Sequence, residues 1–515
     1  MGTRPQGHHA LAGIVLVLAA VKLLIHLATT GLFGYSYFVD ELYYLACAEH
    51  LDWGYVDLPP LLPALTAVAR SLIGDSLFAV RLIPTLSGAA AVLLAGLLAR
   101  ELGGGQLAQG LAALAGLVAP LNLVMSSMHT VNALEPLAWT GCAWIATRIM
   151  RGADPRLWLL VGLVAGLGLL NKLSMAFFGA GLVAGILMTP ERRAFAARWI
   201  WLGGAVALLV FLPNLLWMVG HGFPLFELLA NIRADGRDVS LSPLEFLGEQ
   251  VFVMHPLTAP LWLGGLGWLL FGREGRRYRP LGIAYLVFQA LMLVLDGRVY
   301  YVAPIYPVVF AAGGVAWEAW ISRWSRLPRW CMPAYVTGLS VTGAILAPLA
   351  LPCLPPVSYA SYTRAIGLDQ PRIERHRLGP LPQLFADRFG WREMAQTVAT
   401  IYHGLPAEDK AKAGVFGQNF GQAGAIDLFG PDLGLPKSIS AHLTYYYWGP
   451  RDVTGEVLIV LDDEREVLEG IFESVEHGGR VEHPWSMPYQ QFDVWVCRGM
   501  KMPIGELWPR IKNFH

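Results

Sequence analysis

Charge is scarce in this sequence. Asp, Glu, Lys and Arg make up 15% of its 515 residues, where soluble domains carry about 25%. That shortage excludes an ordinary water-soluble globule. The 38 basic and 38 acidic residues cancel, so there is no positive field to draw in a nucleic acid. Cysteine is scarce too. Cys47, Cys142, Cys331, Cys353 and Cys497 follow no metal-ligand spacing, and their irregular separation gives little reason to expect a disulfide. Internal repeats are missing, which speaks against the paired halves of many transporters.

What is abundant is apolar. Hydrophobic residues reach 55% and mean hydropathy is +0.47, the composition of an integral membrane protein. The N-terminus has one positive residue, Arg4, and then apolar 10–25. A small-x-small cleavage site is absent and more apolar runs follow, so it reads as a retained first helix. A span needs about 20 apolar residues. Candidates are 10–33, 76–100, 107–127, 131–149, 157–170, 173–189, 199–219, 251–271, 281–296, 301–320 and 331–352. The pair 157–170 and 173–189 is short enough to be one broken span. The run 58–73 is apolar, short and ends near Arg70, as an interfacial helix does.

Arginine placement predicts the orientation. Alternate loops hold Arg100; Arg148, Arg151 and Arg156; Arg192, Arg193 and Arg198; Arg273, Arg276, Arg277 and Arg279; and Arg323, Arg326 and Arg329. This basic set reads as cytoplasmic. The loops 34–75, 128–130, 171–172, 220–250 and 297–300, with everything after about 353, then face the other side. The expected fold is a polytopic α-helical membrane protein of about 11 spans. Its membrane domain covers 1–355, with 34–75 as a first extracytoplasmic loop. Region 356–515 is polar and contains apparent strands AGVFGQ, EVLIVLDD and FDVWVCRG, with helices at 391–403 and 464–474. It reads as an extracytoplasmic α/β domain. Its cluster 442–450, HLTYYYWGP, is too aromatic for a plain loop. It suits either a packing face or a lid over an acceptor.

The polar residues that an apolar chain should not spend freely gather on the predicted outer side. The stretch 34–63, GYSYFVDELYYLACAEHLDWGYVDLPPLLP, holds Asp40 and Glu41 among tyrosines and tryptophans. Its other acids, Glu49, Asp52 and Asp57, read as surface groups. Arg81 lies early in the second apolar run. His129, Asn132 and Glu135 follow the third. Lys172 sits in LLNKLS, and Arg298, Tyr300 and Tyr301 precede APIYP. Carboxylates at one point and cations at several others suit an anionic substrate attacked by a deprotonated nucleophile. The bland alternatives are specific. Asp40 can be a helix N-cap, Arg81 and Lys172 can snorkel, Glu135 can pair structurally, and His129 can be a polar cap.

These motifs in order, FVDELYYLACAEHLDWGYVDLPPL, AVRLIPTLSG, MHTVNALEPLAW, GLGLLNKLS and DGRVYYVAPIYP, resemble the GT-C membrane glycosyltransferases. The similarity is to the bacterial branch of glycosyltransferase family 39, with its protein O-mannosyltransferases and lipid A aminoarabinose transferases. It covers residues 10 to about 320. The tail NFGQAGAIDLFG…TYYYWGP resembles the outer domain of one bacterial subgroup. The resemblance implies inverting transfer of a sugar from a polyprenyl-phosphate-linked donor to an acceptor hydroxyl, on the outer face of the cytoplasmic membrane. The acceptor is a glycan, lipid or protein. In the family pattern Asp40 matches the general base with Glu41 beside it, and Lys172, Arg298 and Tyr301 match positions near the lipid phosphate. Arg81, His129, Asn132, Glu135 and Tyr300 are the further substrate-binding candidates. Two positions depart. Leu58 stands where many relatives have Lys or His before the Pro-Pro pair, and Asn132 where relatives often have Asp. The scheme requires no cofactor; a divalent metal beside Asp40 and Glu41 is compatible with it but has no supporting ligand spacing. The rival expectation is a non-enzymatic transporter or flippase for a lipid-linked sugar.

Overall fold

The computed structural model describes residues 10–235, 241–323, 328–367 and 379–515. Arg4, Arg326 and residues 368–378 lie outside them. Up to residue 350 the described residues are largely helical. In order, the helices are α1 (Gly13–Thr29), α2 (Val39–Glu49), α3 (Leu61–Ile73), α4 (Leu77–Glu101), α5 (Gln106–Val118), α6 (Pro120–Ser127), α7 (Glu135–Met150) and α8 (Leu157–Asn171). They continue with α9 (Met175–Leu187), α10 (Arg198–Gly220), α11 (Pro224–Asp235), α12 (Pro243–Val253), α13 (Ala259–Phe271), α14 (Arg279–Val294), α15 (Tyr306–Arg323) and α16 (Cys331–Ala350).

Every apolar run picked out in the sequence contains one of these helices. By length and composition, four helices among the described residues can cross a membrane: Leu77–Glu101, Arg198–Gly220, Val299–Arg323 and Cys331–Ala350. A fifth exists if α5 and α6, which meet at 62°, form one broken span. The short pair α8–α9, which the sequence allowed to be one broken span, packs mainly on different partners, α7 and α14. Pro120 explains the break between α5 and α6, because its ring removes an N–H and blocks helix continuation. The carbonyl left without that N–H, Gly116 O, finds a side chain, and a second side chain braces the new helix. Asn122 Nδ2 donates to Gly116 O at 3.2 Å, and the buried Lys22 of α1 donates to Asn122 O at 2.9 Å. The segment 251–271 is also corrected. Its helix begins only at Ala259, after α12 has ended and a tight turn has passed through Pro256.

The chain divides into two compact units that interleave in sequence. The first comprises Met1–Thr30, Phe78–Leu216 and Ser240–Cys353; the second comprises Gly31–Leu77, Trp217–Val239 and Leu354–His515. A single boundary at 355–356 does not describe this, because the first loop joins the C-terminal region.

The first unit is a helical bundle around Trp139, whose ring packs on Phe178 and Phe288 at 5.1 and 4.8 Å. Helices α13 and α15 touch backbone to backbone. A Cβ on Gly313 would stand 2.2 Å from Leu261 O, so only glycine allows this crossing, as is common between helices packed in lipid. The arginine loops meet one another. Arg151 Nη1 donates to Glu101 O and Oε2 at 2.9 and 3.0 Å. Arg156 and Arg198 both lie over Trp199, and Arg323 pairs with Glu274 at 2.9 Å.

The second unit holds a four-stranded sheet in the order β1-β2-β4-β3: β1 (Ala413–Phe416), β2 (Val457–Leu461), β3 (Phe472–Val481) and β4 (Phe492–Met500). β1 and β2 run parallel and the other pairs antiparallel. β2 is buried at every position, which is why it reads as an unbroken apolar run. The helix expected over 464–474 stops at Ile471, and β3 takes up the rest. Its bulge between His477 and Gly479 interrupts the alternation that would have marked it as a strand. The core gathers Leu458, Val460, Phe472, Trp495, Cys497 and Trp508. All five cysteines are free thiols.

Candidate active site

In the first unit, three loops far apart in sequence converge on Lys172. This residue ends α8 with extended backbone, and a short turn then leads into α9. Its ammonium donates to Asn132 Oδ1 at 2.6 Å and to Glu135 Oε2 at 3.1 Å, and lies 4.5 Å over the Tyr301 ring. Glu135, 3% exposed, is the first residue of α7, where a carboxylate complements the free N–H groups of the helix start. Ser174 also donates to Glu135. Asn171 Nδ2 donates to Val131 O at 2.7 Å, fastening the α8–α9 turn to the α6–α7 turn. Tyr300 and Tyr301 meet edge to face at 4.6 Å, and Arg298 stands beside the Tyr300 hydroxyl.

The structure therefore joins Asn132, Glu135, Lys172 and Tyr301 directly, with Tyr300 and Arg298 alongside. A cation held by one carboxylate, one amide and one aromatic face is fixed in place, yet its side chain keeps 21% exposure. Arg81 and His129 are in the same unit, and both are buried. The arginine loops lie at the other end of this bundle, since Arg151 follows the far end of α7, about 24 Å of helix away from Glu135.

Asp40 and Glu41 belong to the second unit. Both stand in the first turn of α2. The N-cap is Phe38, so Asp40 is not the cap. Glu41 is fully buried, and its Oε2 accepts from Phe38 N at 2.8 Å, closing the helix start from inside. Asp40 is half-buried.

The remaining acids of this stretch are engaged. Arg70 pairs with Glu49 at 3.1 Å and with Asp75, and Lys437 reaches Glu49 at 2.7 Å. Asp52 accepts from Trp217 Nε1 at 2.8 Å. Asp57 is the correction among them. It is no surface acid: Tyr43 donates to it at 2.8 Å, and burial pushes its carboxyl up to about 6. Burial and the nearby Asp57 charge likewise raise the Tyr43 phenol well above its usual value. HLTYYYWGP packs inside this unit. Tyr445 donates to Asp427 at 3.0 Å, Trp448 stacks on His50 at 4.3 Å, and Tyr446 lies parallel to Trp508.

Sequence reading overlooked Ser174, Tyr43 and Thr444. Ser174 offered a signal, two residues beyond Lys172 across the same turn. Thr444 lies in the aromatic cluster HLTYYYWGP, but nothing local names its partners, which are some 400 residues away.

Among solved structures, the chain resembles ArnT from Cupriavidus metallidurans bound to undecaprenyl phosphate. The TM-score is 0.61 at 15% identity, covering 94% of this chain and 98% of that one. It also resembles the arabinofuranosyltransferase AftD from Mycobacteria, with a TM-score of 0.54 at 14% identity over 95% of this chain and 40% of that one. These likenesses show that the chain shares its fold with ArnT and AftD, and its apolar helices are those of a multi-pass membrane protein. The family model for dolichyl-phosphate-mannose-protein mannosyltransferase matches residues 57–217. The lipid A galacturonosyltransferase RgtD of Rhizobium johnstonii is 26% identical over 251 residues, 48% of this chain and 52% of that relative. The match thus spans about half of that relative's length. The family likeness thus covers residues 57–217, while the likeness of fold extends over nearly the whole chain.

Proposed function

We propose that this protein transfers a sugar from a polyprenyl-phosphate-linked donor to an acceptor hydroxyl, with inversion, on the outer face of the cytoplasmic membrane. The observation that carries the reading is the ammonium of Lys172, fixed by Asn132, Glu135 and Tyr301 at the end of the bundle away from the arginine loops. The basic end is cytoplasmic by the positive-inside rule. That assignment puts Lys172 and the C-terminal region outside, in a chain of about eleven spans.

Asp40 accepts the proton of the acceptor hydroxyl as its oxygen attacks the anomeric carbon, and the bond to the phosphate oxygen breaks. Base catalysis of this kind contributes about 10²–10⁴ in rate. Lys172, with Arg298 and Arg81, neutralises the charge left on the polyprenyl phosphate, and Tyr301 supports it. Glu41, occupied by the Phe38 N–H, orients Asp40's helix rather than moving protons. Asn132, Tyr300 and His129 complete the substrate-binding set, and Glu135 holds Lys172 in place. The gathering of polar groups at one end argues against the transporter reading, which needs a midplane site.

The test is Asp40→Asn in reconstituted membranes, following release of polyprenyl phosphate from a labelled lipid-linked sugar supplied with envelope lipids. Transfer should disappear while membrane insertion is retained; transfer at the normal rate would sink the assignment. Mass spectrometry of envelope glycans with and without the protein identifies the sugar and its acceptor.

A further inference from the structure

Within the second unit, two independent sets of contacts hold α2, the helix that carries Asp40. The first is close backbone packing. The helix Phe420–Phe429 turns Gly421 and Gly424 toward α2. A Cβ on Gly424 would stand 2.9 Å from both the carbonyl carbon and the oxygen of Leu42, and one on Gly421 would stand 2.5 Å from Val39 Cγ2. Any larger residue would push α2 away.

The second is a buried clasp in which every proton has a place. Tyr43 O–H donates to Asp57 at 2.8 Å. Its oxygen is then free to accept the Thr444 hydroxyl, 2.5 Å away. Thr444 Oγ1 in turn accepts Val56 N–H at 3.1 Å. One threonine thus bridges α2 and the loop that follows it. Thr444 is itself anchored through its neighbour. Tyr445 donates to Asp427 at 3.0 Å, and Asp427 also takes Ser438 N and Oγ at 2.8 and 2.9 Å. The Phe420 ring lies 4.9 Å from that of Tyr43. Tyr43 follows Asp40 by three residues, so the two share one side of α2. Fixing the Tyr43 hydroxyl therefore fixes the rotation of the helix about its axis, and with it the direction of Asp40.

We propose that Thr444 is a positioning residue, and that the segment 420–448 serves the reaction by setting the rotation and depth of the helix that carries the base. This rests on the reading of Asp40 as base. It gives the C-terminal region a catalytic task other than binding acceptor.

Thr444→Val keeps the shape and removes the hydroxyl; Thr444→Ser keeps the hydroxyl. In purified full-length protein in nanodiscs, Thr444→Val should lower amide-exchange protection of residues 42–49 by about tenfold, the equivalent of one lost hydrogen bond. Amides of β2 and β4 should keep theirs. The kcat should fall about tenfold or more, with KM for the lipid-linked donor within about twofold, since misorientation of a base affects the chemical step and not donor binding. Thr444→Ser should recover most of both. Unchanged protection of α2, unchanged kcat, loss of protection throughout the sheet, or a KM rise matching the kcat loss would each overturn the proposal. Asp40→Asn separates the two ideas. If that variant transfers sugar normally the base reading fails, whereas unchanged α2 exchange in Thr444→Val refutes the clasp whatever Asp40 does.

Discussion

Removing the charge of Glu135 while keeping its shape tests how Lys172 is held. At 3.1 Å and an effective dielectric constant near 20, the gross attraction between the two charges is about 5 kcal/mol. Desolvation of both groups offsets much of this. Glutamine in that place still accepts a hydrogen bond, worth about 1 kcal/mol, but it no longer holds the ammonium against Asn132 and Tyr301. The expected loss is roughly 1.4–2.8 kcal/mol of transition-state stabilisation, or about 10–100-fold in kcat/KM. Lys172→Met removes the cation itself and should lower kcat by about 10²–10³, as when one preorganised charge-stabilising group is lost.

The decisive comparison is the double variant. If Glu135 acts through Lys172, adding Glu135→Gln to Lys172→Met should cost less than about twofold more, because the interaction is already gone. The assay is release of polyprenyl phosphate from labelled donor in reconstituted membranes, at equal amounts of monodisperse protein. Equal factors for Glu135→Gln in both backgrounds would refute the reasoning and return Glu135 to a purely structural pairing.

Other outcomes follow from single contacts. The Asp57 carboxyl is raised from 3.8 to about 6, so folding favours its protonated form. The stability it lends is complete below the unfolded pKa and is lost as pH rises through about 6. The penalty above that window is up to about 3 kcal/mol. Asp57→Asn should therefore be the more stable protein at pH 7.5, and thermal melts should show its advantage over wild type closing as pH falls toward 4; an advantage that grows in acid would contradict the burial argument. In the bundle, Gly313→Ala would put a methyl 2.2 Å from Leu261 O. Overpacking of this kind costs about 1–3 kcal/mol, and the fraction of monodisperse protein after extraction should drop. Normal yield and melting would mean that α13 and α15 separate freely.

Much of the first unit was legible in the residues. Apolar runs mark helices because lipid leaves backbone polar groups only intrahelical partners, and each run does contain a helix. LLNKLS and MHTVNALEPLAW already pointed to Lys172, Asn132 and Glu135. Their mutual contact was not readable, because it depends on how α7 and α8 pack. The break at Pro120 was hidden inside a continuous apolar run, where one proline outweighs the surrounding hydropathy.

The second unit was less legible. Its strands were found where burial is continuous, as in β2, and β3 was missed where a bulge breaks the alternation. Composition, periodicity and charge order are properties of neighbours along the chain, and they were sufficient to indicate a helical membrane protein with a small C-terminal region of strands and helices. Only the tertiary fold decided that residues 31–77 belong with the C-terminal region, that Asp57 is an engaged half-buried acid, and that Thr444 reaches Tyr43. Such pairings join positions hundreds of residues apart. They are selected by close packing and by satisfaction of buried hydrogen bonds, and neither leaves a local pattern to read.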